Sequence, residues 1–182
     1  MTPLEELLLA RSVRRGDFVL ASGQHSSYYI DCRLTTMSAA GMVLVGRAGL
    51  ECIRAAGWAA SAVGGLTLGA DPVAYAIAAA SFGSDSQLDA FTVRKEAKSH
   101  GTRRLIEGNF TPGTPVVIVE DVITSGNSAR QAINAVRAEG GRVAGVLAVV
   151  DREQGGRQVL EAEGYAVQAL TTASALGLGG ER

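Results

Sequence analysis

VVIVEDVITSGNSA, Val116 to Ala129, packs two kinds of chemistry into one turn. Branched apolar residues run into adjacent carboxylates, Glu120 and Asp121, and then into Thr124-Ser125-Gly126-Asn127-Ser128 ahead of a helical pattern. The later group suits an anion. A helix N-terminus offers free N–H groups and the positive end of its dipole. The hydroxyls of Thr124, Ser125 and Ser128 add donors, and Gly126 permits a positive φ and close backbone approach. The carboxylates would repel that anion, but they can accept from two neighbouring hydroxyls. A ligand with a phosphate at one end and a cis-diol nearby satisfies both, which describes a ribose 5-phosphate. An ordinary capped turn needs no second carboxylate.

A second concentration of chemistry lies in RKEAKSH, Arg94 to His100. Of 17 basic residues, 15 are arginine, and both lysines, Lys95 and Lys98, fall here with one of the two histidines, His100. A coding bias toward arginine would scatter the remaining lysines. Their clustering points to positions that want a compact, mobile ammonium. Gly64 and Gly65 could offer backbone N–H groups to another anion, or they could form a plain tight turn. The spacings GxxxxGK[ST] and GxGxxG are absent between strand and helix.

The surrounding pattern says what must position these groups. Leu4, Leu7, Leu8 and Val13 sit at helical spacing, with Gly16 as a stop. DFVLASGQHSSYYIDCR reads as two extended pieces around a Ser-Gly turn. Ser38 caps a helix closed by Gly57. Strands then alternate with helices: SAVGG; a helix with Asp71 as N-cap, Pro72 at its first position and Gly83 as stop; LDAFTV; a polar stretch over 94–110; PVVIVED; a helix from Asn127; RVAGVLAVVD; a poorer helix; and YAVQAL. This is an α/β pattern with an open, mainly parallel five-stranded sheet flanked by helices. Gly64-Gly65, Arg94, Glu120-Asp121 and Asp151-Arg152 each follow a predicted strand, where ligands bind in such sheets. The Gly-rich end is expected to fray.

Composition narrows the classes. A chain of 182 residues is expected to be a single domain, 1–182, with an N-terminal helix and hood over 1–37 and an α/β core over 58–182. Its 47% apolar and 19% charged residues describe a globular protein. Net charge is −1 with no basic tail, which argues against a nucleic-acid partner. The opening residues lack the marks of a signal peptide, and no uninterrupted apolar run could span a membrane. Cys32 and Cys52 have no metal-ligand spacing and suit reduced thiols in the cytoplasm.

VVIVEDVITSGNSA resembles the phosphoribosyl-diphosphate motif of type I phosphoribosyltransferases over its full length. FTVRKEAKSHG is similar to the flexible catalytic loop of the orotate-specific members, LASGQHSSYYIDCR to their N-terminal hood, and VVDRE to their base-binding strand end. Together these span residues 18 to 153. The resemblance implies transfer of a 5-phosphoribosyl group from phosphoribosyl diphosphate to orotate, with Mg²⁺, giving orotidine 5′-monophosphate and diphosphate in pyrimidine (UMP) biosynthesis. It implies Lys95, Lys98, His100 and Asp121 as catalytic residues. Arg94, Lys95, Lys98, His100, Glu120, Asp121, Val122, Ile123, Thr124, Ser125, Gly126, Asn127 and Ser128 would bind phosphoribosyl diphosphate. Thr124, Arg152, Tyr29 and Ile30 would bind orotate. It assigns no direct protein ligand to the metal, which the diphosphate and ribose hydroxyls would hold. It also implies a homodimer sharing the 94–110 loop.

The chemistry agrees. Breaking the C1–O bond puts negative charge on departing diphosphate, so cations must meet it and water must be kept out. Arg152 suits orotate because a guanidinium grips a carboxylate bidentately, although the residues alone also allow an ion pair with Asp151 or Glu153. Tyr28 and Tyr29 could equally be core. The chain departs from several family members in having Ala21 before the hood's Ser-Gly and no lysine in GGLTLGADP. Lys95, Lys98, His100, backbone N–H groups and Mg²⁺ would then carry more of the diphosphate. The rivals are a purine-base transferase and a non-catalytic sensor of phosphoribosyl diphosphate.

Overall fold

The computed structural model describes residues 1–19, 23, 25–96 and 105–179. Thr2 opens helix α1 (Pro3–Arg11): its hydroxyl accepts the Glu5 N–H, and the Glu5 carboxylate accepts the Thr2 N–H at 2.7 Å. The helix stops at Ser12, short of the expected Gly16. Val13 instead opens β1 (Val13–Val19), paired antiparallel with β2 (His25–Ile30) as a separate two-stranded hood. After the short α2 (Arg33–Thr36), the Ser38 hydroxyl accepts the Gly41 N–H and starts α3 (Ala39–Ala55).

All five expected strands are present, as β3 (Ala62–Leu66), β4 (Asp89–Val93), β6 (Pro115–Ile123), β7 (Arg142–Asp151) and β8 (Val167–Thr172). A sixth, β5 (Ile106–Gly108), lies inside the stretch expected to be loop and pairs antiparallel with β4. A three-residue edge strand with one apolar side chain, Ile106, to bury leaves too little periodicity to be read from sequence. The sheet order is β5-β4-β3-β6-β7-β8, parallel apart from β5.

Helices α4 (Ala70–Ser81), α5 (Asn127–Ala138) and α6 (Gly156–Ala162) complete the chain. Strand alternation divides the core. Val117 and Val119 of β6 and Leu147 and Val149 of β7 join a cluster with α1, α3 and α4. Val116, Ile118, Val146 and Ala148 join one with α5 and Leu160 of α6. β6 and β7 are thus covered on both faces, as their unbroken apolar runs require.

Three local expectations change. Asp71 does not cap α4, which begins two residues earlier than expected, at Ala70 behind Gly69; its carboxylate instead accepts the hydroxyls of Thr67 at 2.7 Å and Thr92 at 2.9 Å. Gly64 and Gly65 are fully buried inside β3, where a Cβ would collide with Phe91 or with Val119 and Ala70. They serve close strand and helix packing inside the sheet. The chain end does not fray through Leu178: Ala173, Leu176 and Leu178 are buried against the core.

Candidate active site

The strand order changes direction between β3 and β6, and a cleft of about 340 Å³ opens there beyond their carboxyl ends. Glu120, Asp121, Val122, Thr124 and Ser128 line it from β6 and α5; Leu66, Thr67, Leu68 and Gly69 face them from the end of β3. The hood contributes Tyr29 and Ile30, followed by Asp31, Cys32 and Arg33, while Lys95 and Arg152 come from beyond β4 and β7. Residues far apart in sequence therefore meet in one depression.

Gly126 has φ 79° and leads into α5 with no side-chain cap on the helix. A Cβ there would be strained by that backbone angle and would lie 3.0 Å from the Gly156 carbonyl oxygen. The uncapped first turn, with the Ser128 side chain on the cleft, can receive an anion. Ser125 and Asn127 are exposed on the same turn. Ile123 points the other way, buried in the core, and its carbonyl accepts the Arg152 N–H at 3.0 Å.

Next to this cradle Glu120 is buried, and its carboxyl is pushed up to about 8 by burial and then by the neighbouring Asp121 charge. Burial also raises Asp121, partly offset by the Val122 N–H, which donates to Oδ1 at 2.9 Å, and by the Arg33 charge. A Cβ on Gly69 would lie 2.5 Å from Asp121 Oδ1, so glycine keeps this wall clear of the carboxylate. Two carboxylates so desolvated gain when hydroxyl groups donate to them.

The Glu120 shift has a consequence for stability. A folded pKa of about 8 lies above the ordinary 4.5, so the folded chain holds the proton more tightly. That stabilisation is full below about pH 4.5 and is lost as pH rises through about 8. Melting temperatures of the free protein should therefore fall over that window, and Glu120→Gln should flatten the fall. An equally steep fall in the variant would show that Glu120 is not its source.

Arg152 is almost entirely buried at the end of β7. Its guanidinium lies 4.9 Å from the Tyr28 ring centroid, Nη2 is 3.4 Å from Ser26 Oγ, and Nε is buried without a hydrogen-bond partner among the described residues. It has no ion pair with Asp151 or Glu153, whose oxygens accept the backbone N–H groups of Glu153 and Ser174. Tyr28 packs against the core, while Tyr29 is 41% exposed and lines the cleft.

Arg94 does not line the cleft; its Nη1 lies 3.6 Å from Glu107 Oε1. Lys98 and His100, like Ala21, lie outside the described residues. Sequence reasoning missed Asp31 and Arg33, a bidentate pair at 2.8 and 3.0 Å on the cleft rim, although IDCR carried the acid–arginine spacing. It also missed Thr67 and Gly69, for which no local pattern exists.

A scan of protein-family models finds no match. An orotate phosphoribosyltransferase of Rhodopirellula baltica is 44% identical over 182 residues, covering 98% of this chain and 94% of that protein. The chain belongs to the orotate phosphoribosyltransferase family. Solved orotate phosphoribosyltransferases share its fold. The Mycobacterium tuberculosis H37Rv orotate phosphoribosyltransferase in complex with Fe(III) dicitrate superposes with TM-score 0.85 at 46% identity, covering 96% of this chain and 97% of that one. The same enzyme in complex with 5-phospho-alpha-D-ribosyl 1-diphosphate gives TM-score 0.81 at 43% identity, with coverage of 96% and 97%.

Proposed function

We infer that this chain is an orotate phosphoribosyltransferase, a pentosyltransferase of pyrimidine biosynthesis. Orotate N1 bonds to ribose C1 as the C1–O bond breaks; the electron pair leaves with diphosphate, and the N1 proton is lost. The observation that carries this reading is the juxtaposition, in one cleft, of the Glu120–Asp121 pair, the uncapped start of α5 and the buried Arg152 guanidinium. The first accepts the ribose hydroxyls, the second the 5′-phosphate, and the third the orotate carboxylate, with Thr124, Tyr29 and Ile30 beside the base. Incubation with orotate, phosphoribosyl diphosphate and Mg²⁺ should consume orotate absorbance, while adenine, guanine and hypoxanthine should not react. Turnover of a purine alone, or of no base, would overturn the reading.

Lys95, Lys98 and His100 meet the charge that grows on departing diphosphate. The metal would be Mg²⁺, brought in with the diphosphate and ribose hydroxyls. No cluster of three ligating side chains forms a cation cage among the described residues, whereas the carboxylates of Glu120 and Asp121 fit a hydroxyl-bearing complex of that kind. When bound, Mg²⁺ offsets leaving-group charge.

Arg152→Ala should raise the KM for orotate while leaving that for phosphoribosyl diphosphate nearly unchanged. A charge-assisted pair is worth roughly 1.5–3 kcal/mol, or about 10- to 150-fold. Steady-state kinetics varying each substrate measures this, and equal losses for both would mean general damage.

The working unit is a homodimer in which Arg94, Lys98 and His100 of one chain serve its partner's cleft, while Lys95 serves its own. An exposed apolar face supports the pairing. Met42 and Val43 on α3 share a groove with Ala76 and Ala79 on α4, beside Tyr75 and the 84% exposed Phe82. The setting is cytoplasmic, in keeping with the two free cysteines. No helix among the described residues is long and apolar enough to cross a membrane.

A further inference from the structure

Glu153 is the sole non-glycine residue with positive φ, 57°, among the described residues. A side chain in this region persists only where its surroundings over-determine it, and such places concentrate at functional sites. Here the surroundings are specific. Asp151 Oδ1 accepts the Glu153 N–H at 2.8 Å, and Glu153 Oε2 accepts the Ser174 N–H at 2.7 Å. The Ala173 N–H donates to the Asp151 carbonyl at 2.8 Å. The turn that follows β8 thus grips the residues on both sides of Arg152.

The same turn reaches the hood. Arg15 Nη2, on β1, donates to the Gly177 carbonyl at 3.1 Å. One wall of the base end is the hood, through Ile30 and through Tyr28 beneath the guanidinium; the other is Arg152 itself. The segment Ala173–Gly177 is tied to both. A bidentate grip on a carboxylate depends on the angle of the guanidinium plane, and a long side chain holds that angle only if its backbone is held first.

We propose that Glu153 is a positioning residue: by tying the left-handed turn after β7 to Ser174, it aims the Arg152 guanidinium at the carboxylate of the pyrimidine substrate. This rests on the reading that Arg152 grips that carboxylate. Glu153 itself touches no substrate. Its effect is therefore confined to orotate recognition and disappears when Arg152 is absent.

The test compares Glu153→Ala, Glu153→Gln and Glu153→Gly, with the alanine change also made in an Arg152→Ala background. Glu153→Ala should raise the orotate KM on the order of tenfold, with kcat and the KM for phosphoribosyl diphosphate held. Glu153→Gln, whose amide oxygen can accept the Ser174 N–H, should recover most of the loss. Glu153→Gly relieves the backbone angle but lacks the tether, so it should stay folded and share the alanine defect. In the Arg152→Ala background, Glu153→Ala should cause no further loss of kcat/KM for orotate. Additive losses, equal damage to both substrates, or a wild-type KM in Glu153→Gly would overturn the proposal. If Arg152→Ala impairs orotate use and Glu153→Ala does not, the positioning role alone falls. If Arg152→Ala leaves orotate kinetics intact, the Arg152 reading fails instead.

Discussion

Lys98→Ala is expected to lower kcat by about 10²–10³-fold, the usual effect of removing one preorganised partner of transition-state charge. Orotate binding should change little. The reason lies in timing: in the proposed role the ammonium would meet charge that appears on diphosphate only as the C1–O bond breaks, so it would contribute most after the ground state. The chain has only two lysines, Lys95 and Lys98, and neither Ala21 nor the 64–72 segment supplies another. No further lysine is therefore left to share the task. Single-turnover measurements at saturating substrates should show the slowed chemical step directly. A change confined to KM would show that Lys98 binds substrate without assisting departure.

Two inactive variants should restore each other when their subunits exchange. One lacks the side chains of Lys98 and His100; the other carries Glu120→Ala and Asp121→Ala. Under the proposed roles each homodimer should be nearly dead, because every site would lack either the loop cations or the carboxylates that accept the ribose hydroxyls. After exchange at equal amounts about half the dimers are hybrids, each with one doubly defective site and one intact site. Activity should return to roughly a quarter of wild type if the sites act independently. Exchange demonstrated by differential tags with no recovery would assign the loop to its own chain. Arg94 lies 3.6 Å from Glu107 and does not line its own cleft, which is compatible with the shared arrangement.

Much of the site was legible because its chemistry is local. The strand β6, the two carboxylates near its end and the glycine before α5 follow one another closely, so spacing along the chain is also spacing in space. The unbroken apolar run specified a strand covered on both faces, and the grouping of the lysines stood out against a background of arginine. The α/β class followed from alternating periodicities, since a strand repeats every two residues and a helix every 3.6.

Other features belong to partners distant in the chain. Gly64 and Gly65 read equally well as an anion loop, and only the approach of Phe91 and Val119 from adjacent strands shows that they make room for packing. Asp71 has the form of an N-cap, yet the hydroxyls of Thr67 and Thr92 claim it. Arg152 could have paired with either acid beside it, until backbone N–H groups took both and left its Nε unpartnered among the described residues. Residue types and their order determined which chemistry this chain can attempt. The packing of segments remote in sequence decided which groups face the cleft, because close approach and hydrogen-bond competition depend on neighbours that no local spacing specifies.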